Sequence, residues 1–338
     1  MHDDDRKRMA RRARIGQVYL QVQAWFDRDA LRAVLRADTG QTEDIALEWL
    51  AKAGKRFRPF LVACMHLALR DEPEDAPIPE SIQRLAVAVE CIHKGSLIYD
   101  DIQDADEQRY GEPAIHTIHG VPVALTAALL LLGWGYRLIG ECDEFSPTTA
   151  RMLHLAYQGH CELCHGQGGE LCWMRDPHPL SAQEVLDIFR WKTAPSFDVV
   201  FRLPLIYHGC DDALHRSLEQ FAGIVGVAYQ VQDDLQDFHG RGDVDDIESH
   251  RPSIVLAYAH ELATGAARER IATAWCGAGG EPPEAIRALV REVGAVDRAR
   301  DTLSELKAEA GGILAAIDNA DLRDLLQQVM ETILGVEG

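Results

Sequence analysis

An all-α chain is predicted by three observations. Apolar residues recur at helical spacing through most of the 338 residues, no segment alternates as a strand would, and two helices carry matched aspartate clusters. The first cluster is Asp100, Asp101 and Asp104 in Tyr99-Asp-Asp-Ile-Gln-Asp104, and the second is Asp233, Asp234 and Asp237 in Gln230-Val-Gln-Asp-Asp-Leu-Gln-Asp237. The expected architecture is a single-domain bundle of long helices around a central apolar cavity.

Composition sets the bounds. With 47% hydrophobic residues the chain can bury one large core, read as a single domain over 15–338 behind a frayed, charged stretch over 1–14. A formal net charge of −20 argues against nucleic acid or an anionic membrane surface as partner. Any anionic substrate must therefore be met by local cations or by metal. Eight cysteines without an N-terminal apolar signal core suit reduced thiols and a cytoplasmic location.

Taken in order, Ile15 to Leu50 reads as two helices divided near Thr39-Gly40. Gly54-Lys-Arg-Phe-Arg-Pro59 follows, three cations around a glycine at the entry to a helix over Phe60 to Leu69. Cations at a helix start oppose the dipole, so this turn is better read as built to meet an anion than as structural. Asp71 to Pro79 is a Pro-rich acidic loop, and Glu80 to Ile102 is the helix that presents the first cluster. Arg109-Tyr-Gly-Glu-Pro113 breaks that helix, with His116 and His119 beyond it. Val121 to Tyr136 is nearly all apolar but shorter than the roughly 20 residues of a bilayer span, so a buried core helix without stable membrane insertion is expected. Ser146-Pro147 starts a helix that runs through Gly166-Gln167 to about Trp173. Ser181-Ala-Gln-Glu184 is a capping box for the helix carrying Lys192-Thr193. Leu214 to Phe238 holds the second cluster, Gly240 to Ser249 is a loop, and peripheral helices with a break at Gly277 to Pro283 complete the chain.

The clusters carry the chemistry. On a helix Asp100 and Asp104 share a face and Asp101 flanks them, a grouping that repels itself until a cation neutralises it. Mg²⁺ fits, since it takes one or two carboxylates and completes its shell with water and substrate phosphates. A single acidic cluster reads equally well as a solvated face; two copies with the same spacing point to a clamp on Mg²⁺ and a multiply charged phosphate. Cys161-Glu-Leu-Cys-His165 matches a haem-attachment string, but it lies mid-helix and is read as helix surface; a zinc site from Cys161, Cys164 and Cys172 lacks a fourth ligand.

With both clusters, the basic turn, Gly166-Gln167 and Lys192-Thr193 in this order, the chain resembles the trans-isoprenyl diphosphate synthases of the polyprenyl synthetase family from about Gly54 to Val255. The resemblance implies an isoprenoid synthase-like fold and Mg²⁺ held by Asp100, Asp101, Asp104, Asp233 and Asp237, with Asp234 and Lys192 also in the catalytic set. It implies an isopentenyl diphosphate pocket at Lys55, Arg58 and His93, and a clamp on an allylic prenyl diphosphate at Arg109, Lys192 and Arg251. Thr193, Gln167 and Gln230 match polar positions near the reacting end, and a homodimer is the implied assembly. Departures are Tyr110, where the family has a second arginine before Gly111, and Ala127-Ala128 in place of a Gly-Asp pair. Glu170 stands for aspartate, and Arg241 and Arg251 for lysines.

The implied reaction ionises the allylic diphosphate, so the catalyst must stabilise pyrophosphate charge and exclude water rather than provide a nucleophile. In the family a bulky aromatic four or five residues before the first Asp closes the product tunnel. Those positions here are Ser96 and Gly95, and the next inward candidates, Ile92 and Val89, lie roughly 6 to 10 Å deeper. An isoprene unit spans roughly 5 Å, which extends the expected product beyond farnesyl length to about C20, with Ile92 as floor. Two other readings compete. A synthase-like terpene cyclase is favoured by Tyr110 but opposed by the basic pocket, and a non-catalytic partner subunit has no use for two complete aspartate clusters.

Overall fold

The computed structural model describes residues 16–52, 54–71, 76–142, 146–239, 250–279 and 281–335. The readings of 1–14 and of the Gly240 to Ser249 loop with Arg241, and the middle of the Asp71 to Pro79 loop, lie outside the described residues. Helix dominates: α1 (16–25), α2 (Arg28–Val34), α3 (Gln41–Ala51), α4 (Phe57–Leu69), α5 (Glu80–Gln103), α6 (Ile115–His119), α7 (Val121–Gly140), α8 (Pro147–Arg175), α9 (Ala182–Tyr207) and α10 (Asp212–Phe238). Then come α11 (Ile254–Leu262), α12 (Gly265–Trp275), α13 (Pro283–Glu292), α14 (Ala295–Ala315) and α15 (Ala320–Leu334). The chain divides into two compact units, one formed by residues 1–156 and 199–211, the other by 157–198 and 212–338.

In the first unit α5, 24 residues and so about 36 Å long, packs along α7 and α4. Small residues set the closeness of α5 and α7. A Cβ at Gly135 would sit 2.7 Å from Ile92 Cγ1 and 3.0 Å from Ala88 O, while one at Gly95 would meet Ala128 O at 3.1 Å. Gly95 and Ile92, expected to line a product tunnel, thus both touch α7. Of the buried Ala127 and Ala128, which stand in place of a Gly-Asp pair, Ala128 belongs to the same contact. α7 runs four residues further than its apolar core suggested and is the described helix long and apolar enough to cross a membrane, with half of it buried.

Three expectations are corrected here. The first 50 residues hold three helices rather than two, because the chain turns at Phe26-Asp27 as well as near Gly40. α4 begins at Phe57, which places Arg58 in its first turn. A hairpin, β1 (Gln108–Arg109) and β2 (Glu112–Pro113), follows α5; strands of two residues leave no alternation to read. Its loop, Tyr110-Gly111, has positive φ at both residues (57° and 76°), the geometry of a type I′ turn.

The second unit is built on α11, buried from Ile254 to Ala259, with α10, α12 and α14 around it and Trp275 fully enclosed. The capping box at Ser181 forms as expected, Ser181 N donating to Glu184 Oε2 at 2.8 Å and Glu184 N to Ser181 Oγ at 3.3 Å.

Candidate active site

The two aspartate clusters share a plan that their spacing only half reveals. In the first, Asp100 and Asp104 are partly exposed, while Asp101, turned about 100° away, is fully buried. Asp101 Oδ1 accepts from Arg109 Nε at 2.6 Å and pairs with Arg109 Nη2, and the same guanidinium reaches Asp106 at 3.1 Å. Burial pushes the Asp101 carboxyl pKa up, against the pull of Arg109. In the second cluster Asp233 is exposed and Asp237 partly so, whereas Asp234 is buried and its Oδ2 accepts the backbone N–H of Ile254 at 2.6 Å. That N–H opens α11, so Asp234 caps a helix and meets the positive end of its dipole. Each motif therefore has an outward i, i+4 pair and an inward carboxylate with a structural partner.

Among the described residues no group of three or more His, Cys, Asp or Glu side chains could hold a metal ion unaided. Each outward carboxylate pair, that on α5 and that on α10, instead suits a hard cation that completes its shell with substrate oxygens, which is the habit of Mg²⁺. Cys161, Cys164 and Cys172 are exposed free thiols on α8.

The basic turn also splits by role. Arg56 does not meet an anion from outside. It is buried with φ 47°, pairs with Glu90 Oε1 at 2.9 Å, donates to the carbonyls of Leu50 and Lys52, and stacks on Phe26. Removing either member of such a buried pair costs about 3–5 kcal/mol, so Arg56 is the residue that holds the turn in shape. Lys55 is exposed, and Arg58 Nη1 lies 3.2 Å from His93 Nε2. Burial and the Arg58 guanidinium hold the His93 pKa well below the usual imidazole range. The ring is neutral at pH 7, so Arg58 donates and His93 accepts. His93, Leu97, Asp100 and Asp104 follow one another at i, i+4, i+7 and i+11 on a partly open side of α5. His93, which holds Arg58, thus lies about 10 Å from Asp100 and about 16 Å from Asp104 along α5. Ser96 donates to His93 O at 2.8 Å.

In the second unit the Gly-Gln and Lys-Thr motifs meet through a backbone crossing. A Cβ at Gly166 of α8 would lie 2.4 Å from Lys192 N, and one at Gly226 of α10 would lie 2.5 Å from Ala194 Cα. Lys192-Thr193-Ala194 is gripped between two glycines. One turn beyond Gly166, buried Glu170 takes Lys192 Nζ on both oxygens, at 2.8 and 2.9 Å. Thr193 is buried at this crossing, and Gln167 and Gln230 are partly exposed. Arg251 precedes the cap of α11, its carbonyl accepting from Trp275 Nε1 at 2.8 Å.

Sequence reasoning passed over Lys94. Its signal was a lone cation within the apolar run Cys91 to Ile98, next to His93. The side chain is fully buried, with Nζ 4.1 Å from the centroid of the Tyr110 ring and 5.2 Å from that of Trp49. Trp49 in turn donates to Lys94 O at 3.0 Å, and Lys52 ties α3 to the hairpin through Glu112 at 2.8 Å.

Comparison with known proteins finds relatives over most of the chain. The family described as Polyprenyl synthetase matches residues 41–293. A geranylgeranyl pyrophosphate synthase from Geoglobus acetivorans is 25% identical over 86% of this chain and 89% of its own length. A short chain isoprenyl diphosphate synthase from Methanothermobacter thermautotrophicus is 27% identical over 84% and 87%. The crystal structure of geranylgeranyl pyrophosphate synthetase from Pyrococcus horikoshii superposes with a TM-score of 0.80 at 23% identity, covering 97% of this chain and all of that one.

Proposed function

The chain belongs to the polyprenyl synthetase family, and from that premise we propose that it joins isopentenyl diphosphate to an allylic diphosphate, giving an all-trans product of about C20. It is a prenyltransferase of the isoprenyl diphosphate synthase class. The observation that carries the reading is the repeated plan of outward carboxylate pair and inward, anchored aspartate on α5 and α10.

Asp100 and Asp104 would hold Mg²⁺ on α5, and Asp233 and Asp237 on α10. When bound, the metal neutralises charge on the departing pyrophosphate. Asp101 positions Arg109, and Asp234 positions the N-terminal end of α11. Lys55 and Arg58 take the isopentenyl diphosphate, with neutral His93 orienting the Arg58 guanidinium. Arg109, Lys192 and Arg251 act toward the allylic diphosphate, Lys192 held ready by Glu170. Thr193, Gln167 and Gln230 border the reacting end, and Gly95, Ser96 and Ile92 set the room left for the growing chain. The one domain over 15–338 works as a homodimer in the cytoplasm. α7 leaves Val121, Val123 and Leu129 exposed and α6 leaves Ile118 exposed, apolar surface that a second copy would cover.

Steady-state kinetics with isopentenyl and farnesyl diphosphates test these roles. Asp100→Ala and Asp233→Ala should each abolish Mg²⁺-dependent turnover while circular dichroism stays that of the wild type. Lys55→Ala should raise KM for isopentenyl diphosphate at least tenfold more than KM for the allylic partner, the size of about one lost charge-assisted contact. Near-normal turnover in both aspartate variants, or equal effects on the two substrates, would refute the assignment.

A further inference from the structure

An ammonium buried without an acceptor is an unusual thing for a fold to keep. Lys94 Nζ has no hydrogen-bond partner among the described residues, although the side chain is fully enclosed. Its neighbours are two aromatic faces, Trp49 and Tyr110, which attract a cation but cannot replace its water. Glu90, the carboxylate that could have neutralised it, is committed to Arg56 at 2.9 Å. The desolvated charge is thus maintained at a cost, as expected of a group whose partner arrives from outside.

Its place identifies that partner. A Cβ at Gly54 would stand 3.9 Å from Lys94 Nζ, so the ammonium lies against the first residue of the turn that carries Lys55 and Arg58. Lys94 follows His93, the acceptor of Arg58, and the hairpin crosses α5 so that Arg109 reaches Asp101 while Tyr110 covers Lys94. Tyr110 stands where the resemblance to the family would place a second arginine. Tyr110 is half exposed at the tip of a two-residue turn, an outward-facing neighbour of the Lys94 ammonium.

We propose that Lys94 is a diphosphate-binding residue of the pocket formed with Lys55 and Arg58, and that the Tyr110 ring holds its ammonium until the anion displaces the ring. The cation absent from the hairpin is supplied from α5, across the 4.1 Å that separates Nζ from the Tyr110 ring. Burial also draws the Lys94 pKa down, to about 8, consistent with a charge lacking a counterion. The naming of isopentenyl diphosphate as the physiological ligand rests on the function proposed above; the anion site does not.

The test is calorimetric titration of inorganic pyrophosphate into the full chain with divalent cations chelated, alongside thermal melts without ligand. Lys94→Met should bind pyrophosphate about tenfold more weakly or worse and should melt above the wild type, since an unneutralised buried charge has been removed. Tyr110→Ala should bind at least as tightly as the wild type, because the cover is gone. Unchanged pyrophosphate affinity in Lys94→Met, a lower melting temperature or failure of that variant to fold, or weakened binding in Tyr110→Ala would each overturn the proposal and mark Lys94 as a packing residue. Isopentenyl diphosphate consumption by the wild type is measured separately. A wild type that binds pyrophosphate through Lys94 but consumes no isopentenyl diphosphate would uphold the anion site and reject the reaction.

Discussion

Identical residues in one motif have opposite duties, and burial decides which. Asp100 and Asp101 are neighbours, yet one faces outward beside Asp104 and the other is sealed against Arg109. The helical period makes the outward pair legible from spacing alone. It does not say which neighbour will be buried, because that depends on Arg109 arriving from a hairpin too short to leave a pattern. Lys94 was illegible for a similar reason, since Trp49 and Tyr110 come from α3 and the hairpin. Its lowered pKa has a consequence for stability. Between pH about 8 and about 10.4 the unfolded chain keeps the proton that the folded chain has lost, so the Lys94 contribution rises with pH through that window. The groups acting on it are Arg56, Lys52 and Arg109, which lower the pKa further, and Glu90, which opposes them. Below pH 8 the full cost of the buried charge is present. Denaturant unfolding at pH 7 and pH 9.5 should therefore show the stability advantage of Lys94→Met shrinking at the higher pH; a constant or growing difference would refute it.

Helices were the most legible part of the chain, and the contacts between them the least. Caps at Ser146 and Ser181 and the run of α5 follow directly from residue pattern, because they depend on neighbours in sequence. The crossing at Gly166 depends on what faces it. α8 contains Gly166 and Gly168, two residues apart, and only the first lies against another backbone. Gly166→Ala forces a Cβ to within 2.4 Å of Lys192 N, an overpacking that should cost about 1–3 kcal/mol or more and loosen the Glu170–Lys192 pair. Gly168→Ala meets nothing within 4 Å and should be neutral or stabilising by about 0.5–1 kcal/mol, as alanine replaces glycine inside a helix. Chemical denaturation of the two variants checks the contrast; equal effects would mean that the crossing does not set the position of Lys192.

For the molecule as a whole, a net charge of −20 is reconciled with anionic substrates by concentrating cations where they are needed. In the first unit His93, the partner of Arg58 of α4, precedes Asp100 by about 10 Å and Asp104 by about 16 Å along α5, a spacing that would let two diphosphates bind without being forced together. Family and helical class were readable because they rest on five separated motifs and on periodicity. Product length was less so. Gly95 and Ile92 lie against α7 as well as below Asp100, and the space available depends on neighbours that spacing does not reveal. Mass spectrometric analysis of all products from the wild-type chain with isopentenyl diphosphate, farnesyl diphosphate and Mg²⁺ tests the central claim most directly. A prenyl diphosphate of about C20, absent when the metal is chelated, is the result expected. Unconsumed isopentenyl diphosphate, or hydrocarbons in place of any longer diphosphate, would contradict it.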